Sequence, residues 1–224
     1  MREQNKQHKE NSSADDNCVY NIIIKNLMLA GFFGYLIWAF FSLHLEPDFI
    51  FDRVFFALIS LFFFFFWKRL HTQWYSLLAG FIALLLHSLK LYGNSYYSIE
   101  FDIIMHLIGA IALTMIAFDY LLHDSLSRSE KIMLGKIFVF AAMFTCGMGT
   151  IVEITEYFGY ANLPPGEGLL HFGTGDEGQW LDSVTDMLMN LIGAMIAGAV
   201  MVVGCWEKKN AGMLGREQIR HNIK

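Results

Sequence analysis

Five consecutive phenylalanines, Phe62 to Phe66, close a block that begins Val54-Phe55-Phe56-Ala57-Leu58-Ile59-Ser60-Leu61. A helix through such a block is apolar on every side, and a helix of that kind belongs in a large core or in a bilayer. The whole chain leans the same way. Of its 224 residues 55% are hydrophobic and 17% charged, where a soluble domain carries about 25% charged residues. A soluble fold of this length has too little interior to hide several such segments. The chain therefore reads as an all-α integral membrane protein.

Six spans are expected. Leu27 to Leu45 runs nineteen residues without Asp, Glu, Lys or Arg, close to the roughly 20 needed to cross the hydrocarbon core. Val54 to Trp67 is shorter and spans if Phe49 to Arg53 supplies an interfacial turn. Leu70 to Leu89, Ile103 to about His123, Ile137 to Val152 and Met187 to Trp206 complete the set. With their flanks the spans lie at about 27–45, 50–67, 70–91, 102–123, 137–157 and 183–206. They make one transmembrane domain, 20–206, between polar cytosolic tails at 1–19 and 207–224. The amino-terminal segment lacks the apolar core of a secretory signal.

Basic residues orient the bundle. With a cytosolic amino terminus, fourteen Lys and Arg fall on the inner side and only Arg53 and Lys90 on the outer side. That bias predicts a multi-pass protein of the plasma or inner membrane with both termini inside. A net charge of −5 without a basic patch excludes nucleic acid as partner. Cys18, Cys146 and Cys205 form no metal or disulfide pattern. The longest outward loop, Gly159 to Leu181, carries Pro164-Pro165, three acids and no Lys or Arg, and is long enough to cap or line a site.

Polar residues gather at the outer ends of four spans. His87 closes span three; Asp102 and His106 open span four; Glu153 and Glu156 close span five; Asp182 and Asp186 open span six, with Asn190 a turn deeper. Ionised groups in a membrane cost about 2.5–3.5 kcal/mol each on insertion scales. Their spacing, i,i+4 and i,i+3, sets each group on one helical face. Gly109 and Gly193 lie seven residues beyond Asp102 and Asp186, on the same faces, where small residues admit close helix approach. Taken singly, His106 or Asn190 reads as an interhelical hydrogen-bond partner and Asp102 or Asp182 as a helix cap. Taken together at one depth, they read as a convergent site.

Five carboxylates and two imidazoles cannot share a low-dielectric site fully ionised without a compensating cation. Shared protons, Lys90, a basic ligand or a divalent metal ion would each answer that. The ligand set expected for an ion is Asp102, His106, Asp182 and Asp186, with His87 and Asn190 nearby.

The segments LLLHSLKLYG (84–93), FDIIMHLIGAIAL (101–113), VEITEYFGY (152–160) and GDEGQWLDSVTDMLMNLIGA (175–194) resemble the YjdF-like family of small polytopic inner-membrane proteins. That family's pattern is LHxxGxxY, FDxxxHFxxG, ExxEW and GDxWDxxxDM. The later segments resemble VanZ-like proteins more distantly; those are associated with glycopeptide-type antibiotic resistance and the cell envelope. The likeness covers roughly residues 50 to 205. It implies that His87, Asp102, His106, Glu153, Glu156, Asp182 and Asp186 are the family's polar positions, with Trp180 ahead of the first acid of span six. Leu107 and Tyr157 depart from the family's Phe and Trp, and the loop around Pro164-Pro165 is longer. Fold and site follow from the resemblance; no reaction does.

The functional expectation is a cell-envelope protein whose outward-facing intramembrane site acts on a membrane lipid or amphiphile. As an enzyme it would be a metal-assisted hydrolase or modifier, with His106, Glu153 and Glu156 catalytic. A proton- or cation-coupled transporter and a non-catalytic binding or scaffold protein are the rival classes.

Overall fold

Where no water can reach the backbone, its N–H and C=O groups must be satisfied within the segment, so apolar blocks become helices. A computed structural model describes residues 2–45, 50–88, 95–96, 99–128, 133–162 and 176–210. Among these the helices are α1 (Arg2–Leu45), α2 (Ile50–Phe66), α3 (Trp74–His87), α4 (Phe101–Ser127), α5 (Leu134–Asn162) and α6 (Asp176–Asn210). A short antiparallel ladder, β1 (Ser95–Tyr96) with β2 (Ile99–Glu100), leads into α4.

Among the described residues, four helical stretches are long and apolar enough to cross a membrane: Ile22–Ser42 within α1, Phe101–Ser127, Leu134–Phe158 and Ser183–Glu207. The other two, α2 and α3, have 17 and 14 residues. At 1.5 Å per residue they measure about 26 and 21 Å, below the roughly 30 Å of hydrocarbon.

The third expected span begins late, and the reason is a turn. The N–H of Thr72 donates to the carbonyl of Trp67 at 3.2 Å and that of His71 to Lys68 at 3.2 Å. This paired closure ends a helix with a left-handed residue, and His71 occupies that position at φ 52°. A side chain in the left-handed region costs about 1 kcal/mol, which is why glycine usually stands there. Beyond the turn, Asp119 on α4 accepts the Gln73 N–H at 2.9 Å and the Tyr75 hydroxyl at 3.5 Å. Helix α3 therefore starts at Trp74, not near Leu70.

Other boundaries shift as well. The interfacial turn expected through Arg53 is helical from Ile50, and Arg53 is buried with its guanidinium 4.6 Å from the Trp38 ring centroid. Helix α5 continues past Glu156 to Asn162, while α6 already begins at Asp176. Helix thus takes up 159–162 and 176–181 of the expected loop, and the rest of it lies outside the described residues, as do Lys90 and the chain after Asn210.

Helix α4 is the axis, packing against α3, α5 and α6, while α1 lies on α2 and touches α3. Alanines line the α4–α5–α6 contact: Ala110, Ala117, Ala141, Ala194 and Ala197 are all buried. A bilayer gives apolar helices little hydrophobic reason to associate, so close approach between small residues supplies the packing. Gly193 shows the principle, because a methyl group there would lie 2.5 Å from the Leu107 carbonyl oxygen. Gly109 does not, since nothing lies within 4 Å of a Cβ placed on it. Large apolar side chains point outward instead; Phe65 and Val200 are 65% and 64% exposed, as lipid contact requires.

Candidate functional site

The acid-bearing faces of α4, α5 and α6 meet. His106, Glu153, Glu156 and Asp186 are all buried, and one ligand atom from each lies within 4.8 Å of the others. Nε2 of His106 is 3.6 Å from a Glu153 oxygen and 3.6 Å from an Asp186 oxygen. Asp102, one helical turn before His106, reaches the same nitrogen at 3.9 Å and keeps 24% of its side-chain exposure.

Each placement follows from local sequence. The i,i+4 spacing of Asp102 and His106 stacks both on one face of α4, and i,i+3 does the same for Glu153 and Glu156 on α5. On α6 the pair is Asp186 and Asn190. The Asn190 amide nitrogen lies 3.3 Å from His106 Nδ1. That amide rests against the α5 backbone at Gly149, where any Cβ would collide with its Nδ2. A glycine in α5 thus makes room for the residue that orients the imidazole.

Asn190 can serve His106 in two ways. With its amide nitrogen donating to Nδ1, the proton of a neutral imidazole sits on Nε2 and faces the carboxylates. Rotated by 180°, the amide oxygen accepts from Nδ1–H and leaves the Nε2 lone pair free to ligate. Metal-bound histidines commonly carry an acceptor of this kind on their second nitrogen.

Charge decides what the cluster demands. Like charges 4.8 Å apart repel by about 3 kcal/mol at an effective dielectric constant of about 20. Three carboxylates make three such pairs, comparable to the roughly 5–15 kcal/mol that holds a whole domain folded. A cation or shared protons must offset this. The donor set fits a divalent ion, since one imidazole with carboxylates suits zinc, manganese or iron. The spacing fits too. Ligands about 2.1 Å from a tetrahedral ion are about 3.4 Å apart, close to the 3.6 Å seen here.

Of the ligands expected from sequence, His106 and Asp186 are in the cluster of four, joined by the expected catalytic acids Glu153 and Glu156. Asp102 stands at its edge. His87 ends α3, packs against Phe56 with ring centroids 5.6 Å apart, and lies within Coulombic range of His106. Asp182 belongs to α6 one turn before Asp186, but its side chain and that of Trp180 lie outside the described ones. Sequence reasoning missed Gly149 and the buried Thr114–Thr145 hydrogen bond of 2.8 Å that ties α4 to α5 below the site. The threonines carry a signal in retrospect: each is eight residues from a site residue, His106 or Glu153, toward the bundle interior.

Long apolar helices that converge on a buried carboxylate–imidazole cluster define an α-helical membrane protein with an internal polar centre. The chain belongs to a family of predicted membrane proteins (DUF2238), whose family model matches residues 24–207. That stretch holds every residue of the cluster. No curated protein and no solved structure matches the chain.

Proposed function

We propose that this protein is a six-span membrane enzyme, with both termini cytosolic, that hydrolyses or otherwise modifies a membrane lipid or amphiphile with the help of a divalent ion. The observation that carries this reading is the buried cluster of His106, Glu153, Glu156 and Asp186 within 4.8 Å. The fourteen-to-two distribution of basic residues supports the orientation, and the four motifs support placing the chain among YjdF-like proteins.

In this reading His106 Nε2, Asp186 and Glu153 would hold the ion, and Asn190 fixes the imidazole. A divalent ion held there would supply acidification of a bound water and polarisation of an ester or phosphoryl oxygen. Glu156 takes the proton from the attacking water and later returns it to the leaving group. Asp102, at the edge of the group, is its least buried acid. Exposed Tyr157 and Leu181 flank this end, which suits a substrate arriving from the lipid.

The test is turnover by the full chain in detergent, stripped with chelator and reloaded, on phosphoester and acyl-ester lipids. Metal-dependent release of phosphate or fatty acid, abolished by Glu156→Gln, is expected. No release from any lipid in metal-loaded protein contradicts the proposal.

A proton-coupled transporter is the second reading, favoured by the Thr114–Thr145 pair deeper in the bundle. The step from His106 to Thr114 is eight residues, or about 12 Å of helix, too long for one proton transfer. Acidification of liposomes holding the protein would establish transport instead.

A further inference from the structure

At the other end of α4 a cavity of about 460 Å³ is walled by the end of α2, the turn after it and the last turns of α4. Seventeen residues separate His106 from His123, about 26 Å along the helix, so this cavity lies close to a bilayer's thickness from the acid cluster. Its polar wall holds Arg69, His71 and His123; its apolar wall holds Phe62, Phe66 and Tyr120.

Three features mark it as more than a packing gap. The imidazoles of His71 and His123 stack at 3.2 Å between centroids and 12° between planes. His71 holds that position from a left-handed backbone that glycine would adopt more easily, so its side chain, not its backbone, accounts for a histidine there. Finally, the turn is fixed from behind by Asp119, through Gln73 and Tyr75. The acid in the wall, Asp124, is paired with Arg128 at 3.0 Å, which offsets its charge. Arg69 has no ion pair among the described residues.

We propose that this cavity binds the phosphate of an anionic phospholipid. Arg69 gives a forked set of donors suited to phosphate oxygens, and the two stacked imidazoles add further N–H groups beside it. Phe62, Phe66 and Tyr120 are 46%, 40% and 45% exposed and open the cavity sideways to the acyl chains. A soluble phosphate would have no use for that wall, so the lipid is the fitting source. The site is independent of the acid cluster and of the reaction proposed for it.

The experiment measures binding of phosphatidylglycerol, phosphatidylcholine and inorganic phosphate to the full chain in a neutral detergent, by native mass spectrometry. Wild type is expected to retain phosphatidylglycerol at least about tenfold better than the zwitterionic lipid, and to bind inorganic phosphate weakly. Arg69→Gln is expected to lower phosphatidylglycerol affinity by about tenfold, the usual scale of one charge-assisted contact. Lys136→Gln, which removes equal charge away from the cavity, is expected to leave it unchanged. The informative variant is His71→Gly: the turn keeps or gains stability while lipid binding falls. Equal binding by Arg69→Gln, His71→Gly and wild type would overturn the proposal. So would equal retention of the two lipids, or phosphate binding as well as the lipid does.

Discussion

The two ends of α4 use the same residue types to opposite effect. At the end near Ser127 each acid has a local structural partner: Asp119 secures the chain at Gln73 and Tyr75, and Asp124 binds Arg128 in the same helix. Removing these acids would loosen a turn. At the end near Phe101, Glu153, Glu156 and Asp186 converge on one imidazole. Geometry there concentrates like charge, which no helix bundle needs for its own stability. The difference separates acids that fasten a fold from acids held ready for a cation or proton.

The largest effect expected from this contrast is a change of sign at Asp186. In chelator, Asp186→Asn relieves repulsion and raises the melting temperature, by about 2–4 °C for each kcal/mol relieved. With excess zinc or manganese the same variant loses a ligand and melts below wild type. Thermal denaturation in both conditions checks this. A lower melting temperature in chelator would break the contrast, because Asp186 would then be a fastening residue like Asp119.

Helix approach gives the next effect. Gly149→Ala and Gly193→Ala drive a methyl group into Asn190 and into the Leu107 carbonyl, and each is expected to cost about 1–3 kcal/mol. Gly109→Ala, in open space, is expected to stabilise by about 0.5–1 kcal/mol through helix propensity. Unfolding in mixed micelles orders the three. Equal costs at all three glycines would mean the acid-bearing faces are not in tight contact.

Much of this was legible in advance for a physical reason. A bilayer fixes span length and makes an intramembrane acid expensive, so six apolar blocks and the depth of His106, Glu153, Glu156 and Asp186 stand out from spacing alone. What could not be read depended on neighbours. His71 ends a helix in a conformation that sequence assigns to glycine, so Leu70 looked like the start of a span. Gly149 looked like any helical glycine because its role depends on Asn190, forty-one residues away. Gly109 shared a face with Asp102, yet face alone does not say which neighbour comes close. Glu153 and Glu156 fall in the last turn of the expected span 137–157, and the continuation of α5 to Asn162 carries the helix beyond them.

Smaller effects sharpen the lower half of the comparison. Asp119→Ala is expected to cost about 1–2 kcal/mol by freeing Gln73 and Tyr75, with no dependence on added metal. Thr114→Val is expected to cost about 0.6 kcal/mol, the average for a polar contact between membrane helices. A metal-dependent shift in either variant would extend the cation site well below His106.

The most direct measurement is the metal content of the purified, detergent-solubilised full chain, beside Asp186→Ala and His106→Ala that remain helical and monodisperse. The expected result is roughly one divalent ion per native chain, lost in both variants. Native protein that is well folded, offered zinc, manganese and iron, and still carries no ion would contradict a metal centre at the head of α4, and the three carboxylates would then have to share protons.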